Sequence, residues 1–412
     1  MKSDIDALMQ DRNLDALMIL GPAYHNPAMV YLTGGGHVSG GYLIKKRGET
    51  PTWFCAAMER DEAAKSDLPI KLLDDFRFDE LLKQSEGNML KASAARLKLV
   101  LESAGITSGR VALYGQAEVG ASYALLTALQ ETLPELTLVG EIGDSLLLAA
   151  MATKEPAEIE RIRRMGKITT AVVAQTADFL TSHQVQNEVL VKADGSPLTI
   201  EAVKKQINLW LAEHGAENPE GTIFAIGRDA GVPHSAGNPT DLLRLGQTIV
   251  YDIYPCEPGG GYFYDFTRTW CLGYASDQAL ALYEDVLSVY RQVTSELRLG
   301  ALCSIYQERT CELFQAQGHP TLKDNPQTLE GYVHSLGHGV GLNIHERPFF
   351  RLTPNADDRL EANVVITVEP GLYYPERGMG VRLENTYWMR PDGKAEILAE
   401  YPLDLVLPMK KR

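Results

Sequence analysis

The stretch Tyr251–Thr269 reads YDIYPCEPGGGYFYDFTRT and sets Asp252 and Asp265 on either side of a glycine-rich turn. Like charges facing each other across strands weaken a sheet. A turn centred on Pro258-Gly259, with Pro at the first central position and Gly at the second, suits type II geometry. It pairs residues whose numbers sum to 517 and makes Asp252 and Asp265 direct neighbours on one face. Ile249, Val250, Phe266 and Trp270 favour strand and imply partial burial. Two buried carboxylates so placed share a proton or hold a cation; on an exposed hairpin they need do neither.

A second concentration is HSLGHGVGLNIHE, which holds His334, His338 and His345, three of the nine histidines of the chain. Gly337, Gly339 and Gly341 between them leave little bulk, so backbone or ligand can approach closely. Glu369 in VEPG and Glu384 in VRLEN each follow an apolar strand run, and neighbouring strands would bring both carboxylates to one place. Four carboxylates with a histidine form an oxygen-rich donor set without sulfur, suited to Mn, Co, Mg or Zn, and carry charge enough for two cations. Two such ions activate a water and polarise a carbonyl or phosphoryl group.

These residues need strands and helices to position them. Residues 1–150 mix short elements: a stripe of Ile5, Leu8 and Met9, the strand candidate 14–20, and a hairpin of 41–46 with 51–56. His25 and His37 stand alone there and read as structural or exposed. The character changes near Met151, where Pro156, with Glu155 and Glu158 beside it, opens a long helix with Ile159, Ile162 and Val172 on its stripe. The domain boundary is placed there, giving 1–152 and 153–412. A helix over about 200–213, a strand over 222–227, the hairpin, helices over 278–297 and 304–317, and strands over 364–370 and 380–389 follow. The pattern predicts an α+β domain of antiparallel hairpins and flanking helices.

Composition narrows the class of function. The 412 residues carry 39 basic and 54 acidic side chains, a net charge of −15, which opposes broad contact with nucleic acid or anionic lipid. The N-terminal apolar part is interrupted by acids and no run approaches a membrane span, so a cytoplasmic protein is expected. Five scattered cysteines without a CxxC pair suggest neither a disulfide framework nor a thiolate zinc site.

With GVPHS (231–235), VYDIYP, YDFTRT, HSLGHGVGL, IHE, VEPGLYYP and GVRLEN in this order, the chain from about residue 153 onward resembles the pita-bread metallopeptidases, the family of aminopeptidase P, prolidase and methionine aminopeptidase. The first 150 residues are similar to the smaller N-terminal α/β domain of aminopeptidase P, prolidase and creatinase. The resemblance implies a C-terminal pita-bread catalytic domain. It implies Asp252, Asp265, His338, Glu369 and Glu384 as ligands of two divalent ions, with Mn first and Co or Zn next, and Asp265 and Glu384 bridging. Glu369 would also carry a proton, His234 and His345 would contact substrate, Arg382 would hold a carboxylate, and His334 would be structural.

The implied reaction is hydrolysis of the Xaa-Pro bond by a metal-bridging hydroxide, in an Xaa-Pro dipeptidase. Aminopeptidase P action on longer peptides is the alternative. A creatinase-like hydrolase or a binding module would tolerate broken ligand positions, and none is broken here. Arg347, Arg351 and Arg359 are offered as partners of a dipeptide carboxylate, and a homodimer is implied. Three departures stand out: the Asp252–Asp265 spacing is two residues longer than usual, with an enlarged turn at 256–261, Asn385 replaces a common aspartate, and Thr222 replaces a common tyrosine.

Overall fold

The computed structural model of the chain describes residues 4–353 and 357–410. It separates into two compact units, residues 1–151 and residues 152–258 with 262–412; Gly259–Gly261 group with the first.

The first unit is built on a six-stranded sheet in the order Ile70–Leu72, Thr52–Cys55, Gly41–Lys46, Ala16–Leu20, Gly109–Gly115, Leu136–Val139. Ala16–Leu20 lies inside it, antiparallel to Gly41–Lys46 and parallel to Gly109–Gly115, and all five of its residues are buried. That burial on both faces explains why ALMIL is a continuous apolar run and not an alternating one. Leu97, Val100 and Leu101 of the helix Met89–Ser103 and Leu129 of Val119–Thr132 pack in the same core as Ala16 and Met18.

The second unit opens with the long helix Pro156–Thr181. Its start is set by proline in the first turn and by a capping box in which Glu155 and Glu158 satisfy each other's backbone N–H groups. Ile159, Ile162, Met165, Thr169, Val172, Val173 and Thr176 are buried along one stripe at three- and four-residue spacing. Helices Ile200–Glu213, Asp277–Glu296 and Cys303–Ala316 follow the sequence-based expectation to within about a turn.

Two sheets carry the chemistry of this unit. One runs Val406–Leu407, Phe266–Leu272, Thr248–Ile253, Thr222–Ile226; the other runs Glu346–Phe349, His338–Gly339, Val365–Val368, Asn385–Met389, Ala395–Ile397. Leu336, Val368, Leu372, Val381 and Leu383, which flank the candidate site residues, share one core with Leu282, Val286, Tyr290 and Val293 of Asp277–Glu296.

Two expectations are corrected. The hairpin pairs Asp252 with Thr267 and Cys256 with Phe263, so the turn centres on Gly259-Gly260 and not on Pro258-Gly259. Gly259 and Gly260 both have positive φ, 77° and 75°, the pattern of a two-residue hairpin turn whose twist matches the strands. The slip amounts to two residues along one strand, so parity is kept: Asp265 stands diagonal to Asp252 on the same face. The predicted single strand 380–389 is two strands. Met379–Arg382 pairs with Gly371–Tyr374, and Asn385–Met389 joins the five-stranded sheet. Glu384 sits at the break.

All five cysteines are free and buried. Among the described residues no helix is long and apolar enough to cross a membrane. His25 and His37 are exposed, and His37 stacks on Tyr24 with ring centroids 5.8 Å apart.

Candidate metal centre

Asp252, Asp265, His338 and Glu384 are buried, and Glu369 is nearly so. One ligand atom from each of Asp265, His338 and Glu384 lies within 4.8 Å of the other two. His338 Nε2 stands 3.3 Å from Glu369 Oε1 and 3.6 Å from Asp265 Oδ2. Asp252 enters the cluster through Arg382, whose Nη2 donates to Asp252 Oδ2 at 2.5 Å.

Two threonines fix these carboxylates. Thr267, opposite Asp252 in the hairpin, donates its hydroxyl to Glu384 Oε2 at 2.7 Å and accepts from Arg382 Nε at 3.3 Å. Thr367 accepts from the backbone N–H of His338 at 3.1 Å and donates to Glu369 Oε1 at 3.3 Å. Each threonine lies two residues from a carboxylate on its own chain segment, the strand period that sends both side chains to one face. That period could have singled them out in the sequence. The glycines act as expected: a Cβ on Gly337 would fall 2.2 Å from Thr367 O, and one on Gly339 2.1 Å from Arg347 O.

Arg382 is a hub. Its Nη1 donates to the hydroxyl of Tyr373 at 2.7 Å and to Pro233 O, next to His234, at 3.1 Å. Since arginine only donates, the Tyr373 proton is left for His334 Nε2 at 2.8 Å, and His334 Nδ1–H then donates to Ser335 O at 2.7 Å. His334 therefore has both ring nitrogens engaged and is a neutral relay to Arg382 through Tyr373. Burial pushes its pKa down, in keeping with that state. His234 and His345 keep exposed edges. The His345 ring lies 4.3 Å from that of His338, and burial first, then His338, pushes its pKa down to about 4.

The electrostatics call for a cation. Burial, then the charges of Glu384, Asp252 and Glu369, push the Asp265 carboxyl far above the carboxylate range. Burial, then Glu369 and Asp252, do the same to Glu384. Burial alone would also raise Glu369, but its hydrogen bond with His338 and the charges of His338, His334 and Arg382 outweigh it and hold it low. Carboxylates this close cannot all ionise without positive charge among them. Asp252 Oδ1 and Glu384 Oε1 are buried with no hydrogen-bond partner, as ligand oxygens awaiting a cation would be. The donor set fits hard or borderline divalent ions.

The three arginines offered for a substrate carboxylate divide. Arg347 Nε bonds Asp358 at 2.7 Å, and Arg359 Nη1 donates to Gly300 O at 2.9 Å. Arg351 is exposed above the Phe349 ring, 3.9 Å from its centroid. In the stretch 345–359, residues 354–356 lie outside the described residues. Thr222 accepts from Asn218 Nδ2 at 3.0 Å.

Residues 160–391 match the model of metallopeptidase family M24, and residues 3–145 match the creatinase/prolidase N-terminal domain. An Xaa-Pro dipeptidase of Pyrococcus furiosus is 26% identical over 388 residues, 93% of each chain. A putative dipeptidase of Bacillus subtilis is 25% identical over 361 residues, 87% of this chain and 86% of that one. Among solved structures, the prolidase of Pyrococcus horikoshii superposes with a TM-score of 0.71 at 21% identity over 98% of both chains. The X-Pro aminopeptidase of Thermotoga maritima gives 0.73 at 21%, covering 97% of this chain and 99% of that one. At such identities these structures speak for the fold, a creatinase-type N-terminal domain followed along the chain by an α+β pita-bread domain.

Proposed function

The chain belongs to metallopeptidase family M24, and from that premise we propose that it is an Xaa-Pro dipeptidase, hydrolysing the bond before proline with the help of two divalent cations. The observation that carries this is the convergence of Asp265, His338 and Glu384, with buried oxygens of Glu384 and of Asp252 left without a hydrogen-bond partner. Asp252, Asp265, His338, Glu369 and Glu384 would hold the ions in this reading, with manganese first and cobalt or zinc next. Bound there, the ions would lower the pKa of a coordinated water and polarise the scissile carbonyl. A homodimer in the cytoplasm belongs to the same reading.

The protein's own groups supply the rest. Glu369, oriented by the hydroxyl of Thr367, would take a proton and return it to the leaving amine. His345, neutral near pH 7, offers an N–H donor to the carbonyl oxygen as charge builds on it, and His234 a second. Arg382 orients Asp252 and, through Pro233 O, the segment that carries His234. Exposed Arg351 supports capture of a dipeptide carboxylate. The internal engagement of Arg347 and Arg359 favours the second reading, an aminopeptidase P type enzyme on longer peptides.

Protein stripped with chelator and reloaded separately with Mn, Co or Zn should cleave Xaa-Pro dipeptides faster than Xaa-Pro-Xaa tripeptides. A tripeptide preference would select the second reading. Absence of metal-dependent cleavage of either would refute both.

A further inference from the structure

Arg268, on the strand Phe266–Leu272, is fully buried. All five of its N–H groups go to neutral acceptors. Nε donates to Pro402 O at 2.8 Å, Nη1 to Thr267 O at 2.9 Å and Glu384 O at 2.6 Å, and Nη2 to Tyr401 O and Asn385 Oδ1, each at 2.9 Å. The ring of Phe266 covers it, with its centroid 4.1 Å from Cζ. Among the described residues Arg268 has no ion pair. Hydrogen bonds to neutral groups satisfy its donors but leave its charge, and an uncompensated buried charge is costly. Arg268 Nη1 holds the backbone carbonyl of Glu384, so the guanidinium lies against the residue whose side chain joins the candidate centre.

Asn385 is the one side-chain acceptor in this cradle. Its amide nitrogen donates to the hydroxyl of Tyr290, which meets the hydroxyl of Tyr387 at 2.5 Å. A carboxylate at 385 would fit the same contacts: Arg268 on one oxygen, the Tyr290 hydroxyl turned to donate to the other, and Tyr387 donating to Tyr290. Hydrogen bonding therefore does not require an amide here. What the amide does is leave the positive charge of Arg268 in force.

We propose that Arg268 and Asn385 set the cation affinity of the centre, the unneutralised guanidinium behind Glu384 making it hold its cations less tightly than a carboxylate at 385 would. The inference rests on the reading of Asp265 and Glu384 as cation ligands. A site so tuned exchanges metal readily. The effect acts through buried, weakly screened charge and not through contact with substrate.

The test is calorimetric titration of stripped protein with Mn²⁺ at fixed pH, with melting temperature measured on each variant. Asn385→Asp should tighten the weaker site by about tenfold, while neutral Asn385→Ser stays within about threefold of the parent. The double variant Arg268→Met/Asn385→Leu, which removes the charge by another route, should tighten it as well. Unchanged or weaker binding in folded Asn385→Asp and in the double variant would overturn the proposal. A parent protein that binds no Mn²⁺ would instead defeat the reading of the site as a cation centre, and this inference with it.

Discussion

Asp265 and Glu384 hold protons in the metal-free protein that the unfolded chain has already released, because burial and neighbouring carboxylates raise both. Their contribution is fully present below the ordinary carboxylate pKa of about 4 and is lost as pH rises toward their raised values. The melting temperature of the stripped protein should therefore fall, relative to the loaded one, as pH rises from about 4 to neutrality, which calorimetric scans across that range would show. Asp265→Asn is neutral without having to take up a proton at neutral pH. It should raise the melting temperature of stripped protein at neutral pH by ~2–4 °C, about 1 kcal/mol, while eliminating binding of two cations. Thr267→Val, which deletes a hydroxyl between Glu384 and Arg382, should weaken Mn²⁺ binding ~10–100-fold with little change in fold. At this scale the sequence showed the acids and histidines, whose types announce their chemistry. Thr267 and Thr367 had only their two-residue spacing from Asp265 and Glu369 to mark them, and Tyr373 had no such signal, since its hydroxyl matters only through Arg382 and His334.

The enlarged turn gains a physical explanation at the level of elements. Glu257 in CEPGGG is buried and receives Arg161 Nη2 at 2.6 Å, Arg164 Nη2 at 2.6 Å and the Tyr262 N–H at 3.1 Å. The helix Pro156–Thr181 thus pins the hairpin that carries Asp252 and Asp265. Glu257→Gln should lower the melting temperature by several degrees, corresponding to about 1–3 kcal/mol for a hydrogen-bonded charge removed from partly exposed partners. Mn²⁺ affinity should change less than in Thr267→Val; an equal loss would mean that the pin shapes the ligands directly. Helices were legible because Pro156, Glu158 and the apolar stripes are local signals. The hairpin register was not, since three successive glycines can all supply positive φ and Pro258 drew the turn one residue too early. The break at Leu383–Glu384 was hidden too, because strand-forming residues run on both sides of it.

The five proposed ligands, from Asp252 to Glu384, all lie in the second unit. Its loaded and stripped forms should differ widely in stability: a cation at 100 times its dissociation constant adds about 2.7 kcal/mol. Chelation should lower the melting transition of that unit by several degrees, and Mn²⁺ should restore it. The chain-wide charge of −15, which opposes broad contact with polyanions, is legible without fold knowledge, whereas the meeting of residues 265, 338 and 384 depends on long-range pairing that only motif order hinted at. The cysteines offer a way to watch these units. Cys55 lies in the first, and Cys256, Cys271, Cys303 and Cys311 lie in the second, all buried. Burial pushes the thiols of Cys256 and Cys271 up to about 12, which leaves them unreactive while the fold is closed. A thiol-reactive dye would therefore act as an internal clock, the rate at which each cysteine is labelled giving the time its own unit spends open.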